Sequence, residues 1–271
     1  MPVLTNKKGR GGYSPVWTDE DTAYLRENYG TLSAREISAV LGRSETALHV
    51  RANILGLKSR HRTGINSLVP GYFSEIDTHM KAYLLGLLTA DGFVTRRNQV
   101  SLALSGKDRE LVELLRDEIA PGGRIGSYLT REKRPMATFR VQSPDLAADL
   151  AGHGVVPAKT LVTSWPSRLP YELENSYVCG YFDGDGSLIP TWLYRWTIVG
   201  GNPDFLITMQ ARIKAHTGIN VGGLYRDRRT EHAYSICQTG EPVRALDAWV
   251  HRDMPGLARK RMRPPEQNVL F

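Results

Sequence analysis

The chain carries the same nine-residue pattern twice, as LLGLLTADG at residues 84–92 and as VCGYFDGDG at residues 178–186. In both copies large apolar residues fall at the first, fourth and fifth positions, which share one face of a helix. Small residues fall at the third and seventh positions, on a second face: Gly86 and Ala90, then Gly180 and Gly184. Small residues four apart let two helix backbones approach closely. The repeat therefore predicts two helices that pair through Gly86, Ala90, Gly180 and Gly184.

An acid and a glycine end each copy, as Asp91–Gly92 and Asp185–Gly186. A carboxylate at a helix C-terminus meets the negative end of the helix dipole, and pairing two such ends doubles the repulsion. A divalent cation held by Asp91 and Asp185 would relieve it, with the last-turn carbonyls of Ala90 and Gly184 as further ligands. An Asp-Gly pair is also a common turn sequence. Two copies with the same small-residue face favour the metal site.

The similarity between the two copies extends beyond the nine residues. Each copy starts a half that reads as helix, hairpin, helix, hairpin and helix, with clean alternation of apolar and polar residues in the return strand at 135–142. A βαβ arrangement is disfavoured because neighbouring strands lie too close in sequence for a crossover. We expect an α+β fold of two pseudo-symmetric αββαββα halves with paired motif helices and antiparallel sheets, at residues 77–170 and 171–271.

The residues before this repeat indicate a separate small domain. Residues 1–15 have the composition of a disordered tail, residues 16–60 that of a three-helix unit, and residues 61–76 that of a linker without periodicity. In the helical unit Thr18, Ser33 and Ser44 are candidate N-caps. Gly42 is the candidate end of the second helix.

The second and third helices of this unit, joined by LGRS, resemble bacterial and phage helix-turn-helix or Myb-like modules. In such modules the last helix enters the major groove. The resemblance implies base contacts from Thr46, His49 and Asn53. It implies phosphate contacts from the basic residues Arg43, Arg51 and Lys58. A three-helix bundle that binds another protein is the alternative interpretation.

Charge and composition limit the classes of molecule that the chain is expected to bind. Lys+Arg number 35 against 28 Asp+Glu, which gives a net charge of +7 and favours a polyanion such as nucleic acid. The two cysteines, Cys179 and Cys237, form no CxxC pair, so we expect no zinc site. No apolar run is long enough to span a membrane, and no signal peptide is visible. We therefore expect a cytoplasmic protein with no membrane partner, encoded by a bacterium or phage.

The two motifs, together with YFSEIDTHMKAYLLGLLTADG at 72–92, resemble the LAGLIDADG homing endonucleases in their single-chain, two-motif form. The resemblance covers about residues 72–271. It implies a monomer whose curved sheets face double-stranded DNA at a long target site. It also implies Mg²⁺-dependent hydrolysis of both strands across the minor groove, leaving short 3′ overhangs, with two or three divalent ions shared between the motif helices.

The resemblance also assigns residues. Asp91 and Asp185 match the metal-binding catalytic acids of the family. The first motif has Thr89 where the family name has an acid, at a non-catalytic place, and the second keeps Asp183 there. Lys159 and Lys260 are the basic side chains that it places near the scissile phosphates. The groove contacts that it implies from the hairpins are Arg140, Gln142, Tyr225, Arg226 and Arg228.

Two other functions fit the same sequence. A non-cleaving transcription regulator would combine a LAGLIDADG domain with a helix-turn-helix, although it would not need both acids. An RNA maturase that assists intron splicing is the second alternative. The chain begins with Met and does not end in His-Asn, so we expect a free-standing or intron-encoded enzyme of a mobile element rather than an intein.

Overall fold

The computed structural model describes residues 16–29, 32, 34–57, 68–190, 194–228 and 230–262. The chain divides into two compact units, residues 1–66 and residues 67–271. The predicted tail at 1–15, the cap at Ser33, the phosphate contact at Lys58 and the linker residues 61–67 lie outside the described residues. Among the described residues, none of the helices combines the length and the apolar character needed to cross a bilayer.

The first unit contains helices α1 (Asp19–Asn28), α2 (Ala34–Leu41) and α3 (Glu45–Ile54). Thr18 Oγ1 accepts a hydrogen bond from the Asp21 backbone N at 3.0 Å and so caps α1, and Ser44 Oγ accepts one from Ala47 N at 3.2 Å and caps α3. Gly42 takes the left-handed conformation, with φ of 63°, directly after α2. The predicted caps Thr18 and Ser44 and the predicted stop at Gly42 are thus confirmed.

Four fully buried side chains form the core of this unit: Leu25, Ile37, Leu48 and Ala52. They come from all three helices at the spacing expected of one apolar face each. Val40 of α2, although apolar, is 51% exposed. With only eight residues in α2, Ile37 and the partly buried Leu41 complete the inner face and leave Val40 to solvent.

The second unit repeats one order of elements twice. The first half contains α4 (His79–Ala90), β1 (Gly92–Val94), β2 (Gln99–Ser105), α5 (Arg109–Ile119), β3 (Ile125–Leu129), β4 (Pro135–Gln142) and α6 (Pro144–Gly152). The second contains α7 (Glu174–Asp185), β5 (Gly186–Ile189), β6 (Arg195–Gly200), α8 (Pro203–Thr217), β7 (Gly222–Arg226), β8 (Tyr234–Thr239) and α9 (Pro242–Val250). The predicted α+β fold with two αββαββα halves is confirmed.

Each half forms one antiparallel four-stranded sheet. The strand orders are β1-β2-β4-β3 and β5-β6-β8-β7, so the two sheets have equivalent topology. In β4 the side chains of Ala137, Phe139 and Val141 are buried, while Arg140 and Gln142 are exposed. This alternation arises because successive side chains of a strand point to opposite faces. One face of each sheet therefore packs on helices, and the other faces away from them.

Residues 68–76, the described part of the predicted linker, pack on the second unit. Phe73 is fully buried in the core of the second unit. Its carbonyl oxygen accepts a hydrogen bond from His153 Nε2 at 2.9 Å, and Val69 N donates to the Ile119 carbonyl at 2.8 Å. The prediction of a linker from 68 to 76 was wrong because the partners of this segment, Ile119 and His153, lie far away in sequence.

The motif helices α4 and α7 run side by side in the same direction and pack backbone to backbone. A β-carbon added at Gly86 would collide with the Tyr177 carbonyl oxygen, and one added at Gly180 would collide with the Tyr83 carbonyl oxygen. Near the start of the pair, His79 Nδ1 lies 2.9 Å from Ser176 Oγ. Glycine is required at both contact points because no side chain fits between the two helices.

We predict that Gly86→Ala lowers the free energy of unfolding by about 1–3 kcal/mol or more, because the added methyl group forces the two helices apart. Urea denaturation followed by circular dichroism measures the change. Gly152→Ala is the matched control, because a β-carbon there meets no atom within 4 Å. Equal stability of the two variants would show that α4 and α7 can separate without loss.

Candidate active site

The C-terminal ends of the two motif helices bring two carboxylates to one place. Asp91 is the C-cap residue of α4, and Asp185 is the last residue of α7. The Asp91 carboxylate lies against the last turn of α7, since a β-carbon added at Gly184 would be 2.9 Å from Asp91 Oδ2. It would also collide with the β-carbon of Ala90. The small residues at the seventh motif positions thus allow the two acids to approach.

The surroundings of this pair favour protonation. Burial, followed by the negative charge of Asp91, raises the pKa of Asp185 to about 6. Burial also raises the pKa of Asp91. The Asp91 side chain is exposed on one side. Nearby protein atoms displace part of the water around its carboxylate, and this loss of hydration disfavours the charged form. The two carboxylates therefore repel each other at neutral pH and would gain from a counter-charge.

The C-terminal end of each motif helix contacts a lysine from the same half of the chain. Lys159 Nζ donates hydrogen bonds to the carbonyl oxygens of Ala90 at 3.1 Å and Gly92 at 2.5 Å. Lys260 Nζ donates to the carbonyl oxygens of Asp183 at 2.6 Å and Gly184 at 3.2 Å, and to that of Phe182 at 2.9 Å. A cation at a helix C-terminus is stabilised by the helix dipole.

These lysines also contact two of the metal ligands that the sequence predicts. The Ala90 and Gly184 carbonyl oxygens accept ammonium hydrogen bonds, and each keeps a second lone pair beside the carboxylates of Asp91 and Asp185. Within the described ranges, no group of three or more His, Cys, Asp or Glu side chains is placed to hold a metal ion. The arrangement is one of two acids between two ammonium groups.

Burial also affects the two ammonium groups. It lowers the pKa of Lys159, and the negative charges of Asp185 and Asp91 partly offset this. Burial lowers the pKa of Lys260, and the neighbouring Arg259 guanidinium lowers it further. The environment thus pushes the acids and the lysines towards their neutral forms, which makes the charge state of the site sensitive to any ligand that brings charge.

A buried carboxylate that the sequence did not assign supports Lys260. Asp183 Oδ2 accepts a hydrogen bond from Tyr83 Oη at 2.6 Å and one from Leu257 N at 2.9 Å. These bonds connect α4, α7 and the segment that carries Lys260. At the equivalent place in the first motif, Thr89 Oγ1 donates to the Leu85 carbonyl at 2.8 Å, within its own helix. In the sequence, this residue is indicated by the acid at the sixth position of the second motif, where the first motif has Thr89.

A second contact connects the two halves of the chain. Arg259 Nε and Nη2 donate to Asp108 Oδ1 at 3.0 Å and Oδ2 at 2.8 Å. This bidentate geometry matches the planar guanidinium to both carboxylate oxygens. The pair joins the residue before Lys260 to the start of α5. Asp108 and Arg259 lie 151 residues apart, so no local sequence pattern indicates this pair.

The hairpin residues predicted to contact DNA lie at two kinds of position. Arg140, Gln142 and Tyr225 lie on the sheet faces that the helices leave uncovered, and Gln142 Nε2 donates to the Arg97 carbonyl at 3.1 Å. Arg226 and Arg228 lie at the end of the β7–β8 hairpin. The structure does not bring these residues to the carboxylate pair.

In the first unit the predicted contact residues divide into two groups. Thr46, His49 and Asn53 are exposed on one side of α3, as the sequence predicts. Arg43 is instead a structural residue: its side chain is 8% exposed and its Nη2 lies 2.6 Å from Asp21 Oδ2. Its guanidinium also packs 4.3 Å from the Trp17 ring centroid, and its phosphate contact stays a prediction.

Arg51 also contributes to the packing of the helices. Its Nη2 donates to Thr22 Oγ1 at 3.2 Å, and its guanidinium lies 5.7 Å from the Trp17 ring centroid. The side chain is half-buried, which ties α3 to α1. A guanidinium in this position has less freedom to reach a phosphate than the sequence suggested.

No protein-family profile matches the chain, and no curated protein matches it significantly. Among solved structures, it is similar to the N-terminal LAGLIDADG domain of WhiA, at 13% identity and a TM-score of 0.44 over 75% of this chain and 98% of that chain. It is similar to full-length WhiA from Thermatoga maritima, at 14% identity and a TM-score of 0.47 over 69% of this chain and 61% of that chain. It is similar to I-DmoI in complex with DNA and Ca, at 17% identity and a TM-score of 0.43 over 72% of this chain and 96% of that chain.

We predict that Asp185→Asn stabilises the metal-free protein at pH 8 by about 1–3 kcal/mol. Because the pKa of Asp185 is raised to about 6 from 3.8, the folded state holds this proton more tightly than the unfolded state. The stability of the natural protein therefore falls as the pH rises from about 4 to about 6, and it stays lower above that range.

Urea denaturation in a chelator at several pH values tests this. The difference between Asp185→Asn and the natural protein should be largest above pH 6 and should vanish below about pH 4. Glu132→Gln, at an exposed hairpin end, is the control and should show no such pH dependence. A destabilised Asp185→Asn at pH 8 would mean that the carboxylate pair is not under repulsion.

Proposed function

We propose that the chain is a LAGLIDADG endonuclease that hydrolyses both strands of DNA with the help of Mg²⁺. The observation that carries the proposal is the placement of Asp91 and Asp185 at equivalent ends of two paired helices. Each acid is accompanied by a lysine from its own half, Lys159 or Lys260. A centre with two equivalent sets of groups suits a reaction carried out once on each strand.

The donors present fit a divalent ion of the Mg²⁺ type. Carboxylate oxygens are the ligands that Mg²⁺ prefers, and it keeps several waters of its own. The raised pKa of Asp185 indicates a carboxylate whose charge is poorly compensated. When bound, Mg²⁺ would activate water and stabilise charge on the reacting phosphate. We propose that the two carboxylates would hold two or three such ions between them.

The residues of the chain would have distinct roles in this reaction. Asp91 and Asp185 would orient the ions between the two scissile phosphates. Lys159 and Lys260 would stabilise negative charge on the phosphates, because fixed positive groups in a partly dry site act strongly. Their hydrogen bonds to the helix ends hold both ammonium groups in place before DNA arrives.

A non-cleaving DNA-binding regulator is the second candidate, and one observation favours it. Both lysines engage backbone carbonyls at the ends of the motif helices, Lys159 that of Ala90 and Lys260 that of Gly184. A protein that kept the fold only to bind DNA could use the same hydrogen bonds to hold the ends of the motif helices in place. The two candidates differ in whether the acids are needed for cutting.

The remaining parts of the chain have proposed roles that follow from the same function. The first unit would be a DNA-binding module that lengthens the recognised site and adds affinity through effective concentration. The exposed side of α3, with Thr46, His49 and Asn53, would contact bases. The protein would act as a cytoplasmic monomer, since one chain already supplies both halves.

We predict that Asp91→Asn and Asp185→Asn each reduce double-strand cleavage by at least about 10²-fold. Binding to the same DNA in Ca²⁺ should stay within about threefold, because neither acid is expected to contact bases. Sequencing of new DNA ends after incubation of source genomic DNA in Mg²⁺ identifies the target and measures cutting. Glu132→Gln serves as the cleavage-competent control.

Three outcomes of this experiment are informative. Recurrent ends with short 3′ overhangs that require Mg²⁺ and both acids would support the endonuclease. Tight binding of one fragment without any cut would support the regulator. Unchanged cutting by both Asn variants would rule out the carboxylate pair as the metal site.

We further predict that a triple variant, Thr46→Ala, His49→Ala and Asn53→Ala, weakens DNA binding by about tenfold or more, since bidentate and apolar base contacts are lost. Fluorescence anisotropy with the full chain measures the affinity at several salt concentrations. Ala23→Ser, at an exposed position of α1, is the control. Unchanged affinity would assign the first unit another role, such as binding a protein.

A further inference from the structure

The two sheets each present one face that the helices leave uncovered. In the first sheet the outward side chains include Phe93 and Tyr128, which pair across the strands with Ser101 and Met136. In the second sheet they include Ile189, Val199 and Tyr225, whose partners are Arg195 and Ser235. Facing residues on neighbouring strands point the same way. These outward positions define what we call the outer faces.

The outer faces carry little charge. Within the described strands there is no acidic residue, and the charged residues are Arg140, Arg195 and Arg226. Arg140 and Arg195 point outward, and Arg195 Nε already donates to Cys237 Sγ at 3.2 Å. A surface that recognised bases mainly through charged hydrogen bonds would need more such groups than these faces offer.

Large apolar side chains occupy several positions of the outer faces, among neutral polar side chains such as Ser101 and Thr197. Phe93, Tyr128, Ile189, Val199 and Tyr225 are each between 42% and 59% exposed. They come from both halves and from five strands, β1, β3, β5, β6 and β7. Single exposed apolar side chains are common on protein surfaces, so the meaning of these five depends on the charges around them.

Positive charge is concentrated at the ends of the hairpins rather than on the faces. The basic residues of these turns are Arg96, Arg97, Arg131, Lys133, Arg134, Arg226 and Arg228, and they outnumber the acidic residues there, Glu132, Asp227 and Glu231. Basic side chains there would reach phosphates, which fix position without reading sequence. The outer faces between these hairpin ends would then lie against base edges. A protein partner is less suited to this surface, because basic ends around an acid-free sheet match a polyanion.

We infer that the outer faces read DNA through the C5 methyl groups of thymine. This inference rests on the proposed function and specifies its substrate. The edge of a base pair in the major groove presents hydrogen-bonding groups, and the thymine methyl is the apolar group among them. Side chains such as Phe93 and Ile189 can bury that methyl but cannot satisfy a donor or acceptor. The target site therefore carries thymine opposite the apolar positions of both halves.

The test starts from a site recovered with the full chain. A random double-stranded library is bound in Ca²⁺ and enriched, and the recovered site is resynthesised with deoxyuridine in place of each thymine in turn. Deoxyuridine keeps the base pair and removes only the methyl group. At contacted positions the affinity should fall about fourfold, which corresponds to about 0.8 kcal/mol for one buried methyl-sized group.

A matched pair of variants links the effect to the outer faces. Ile189→Ser should abolish the difference between thymine and deoxyuridine at one position and preserve it elsewhere. Ile207→Ser, at a position of α8 that is 50% exposed, should preserve every difference. Thermal unfolding of both variants checks that they fold, and Val199→Ser replaces Ile189→Ser if that variant is unstable.

The outcomes separate this inference from the proposed function. An enriched site whose affinity is unchanged by deoxyuridine, or reduced equally in both variants, overturns the methyl-contact inference while leaving in place the specific DNA binding that the proposed function requires. Failure to enrich any sequence would overturn the proposed function, and the inference with it. Loss of discrimination confined to Ile189→Ser would support the methyl-contact inference.

Discussion

The contact between α4 and α7 is the constraint on which the rest of the second unit depends. Because Gly86 and Gly180 place backbone against backbone, the two helices end at the same level. Asp91 and Asp185 then share one small volume, and the sheets that follow each helix begin from a common centre. A single bulky residue at either glycine would change the separation of the acids as well as the packing of the halves.

The charges around the helix ends are arranged to hold this contact without a ligand. Two carboxylates and two ammonium groups meet there, and each lysine satisfies carbonyl oxygens that the helix itself leaves free. Burial raises the pKa of Asp91 and lowers the pKa of Lys159, so the environment penalises the charged form of both groups. Stability and ligand affinity are therefore coupled at this point, since a bound cation would replace repulsion by attraction.

Much of the fold could be predicted because its signals are local. The motif spacing, the alternation in β4 and the caps at Thr18 and Ser44 depend on residues a few positions apart. The roles of Arg43 and Asp183 could not be predicted, because each depends on a partner far away in sequence. Arg43 looks like a surface base until Asp21 and Trp17 are placed beside it. The packing of Phe73 was missed for the same reason.

Thr89 and Asp183 occupy equivalent positions in the two motifs, yet only Asp183 is an acid with partners across the helix pair. An assembly of two identical subunits would necessarily bury two such acids or none. This chain buries one, so the unfavourable transfer of a carboxylate from water is incurred once, and only one half has its lysine-bearing segment fastened by it. Joining the halves in a single polypeptide thus permits the two sides of a nearly symmetric centre to differ in rigidity.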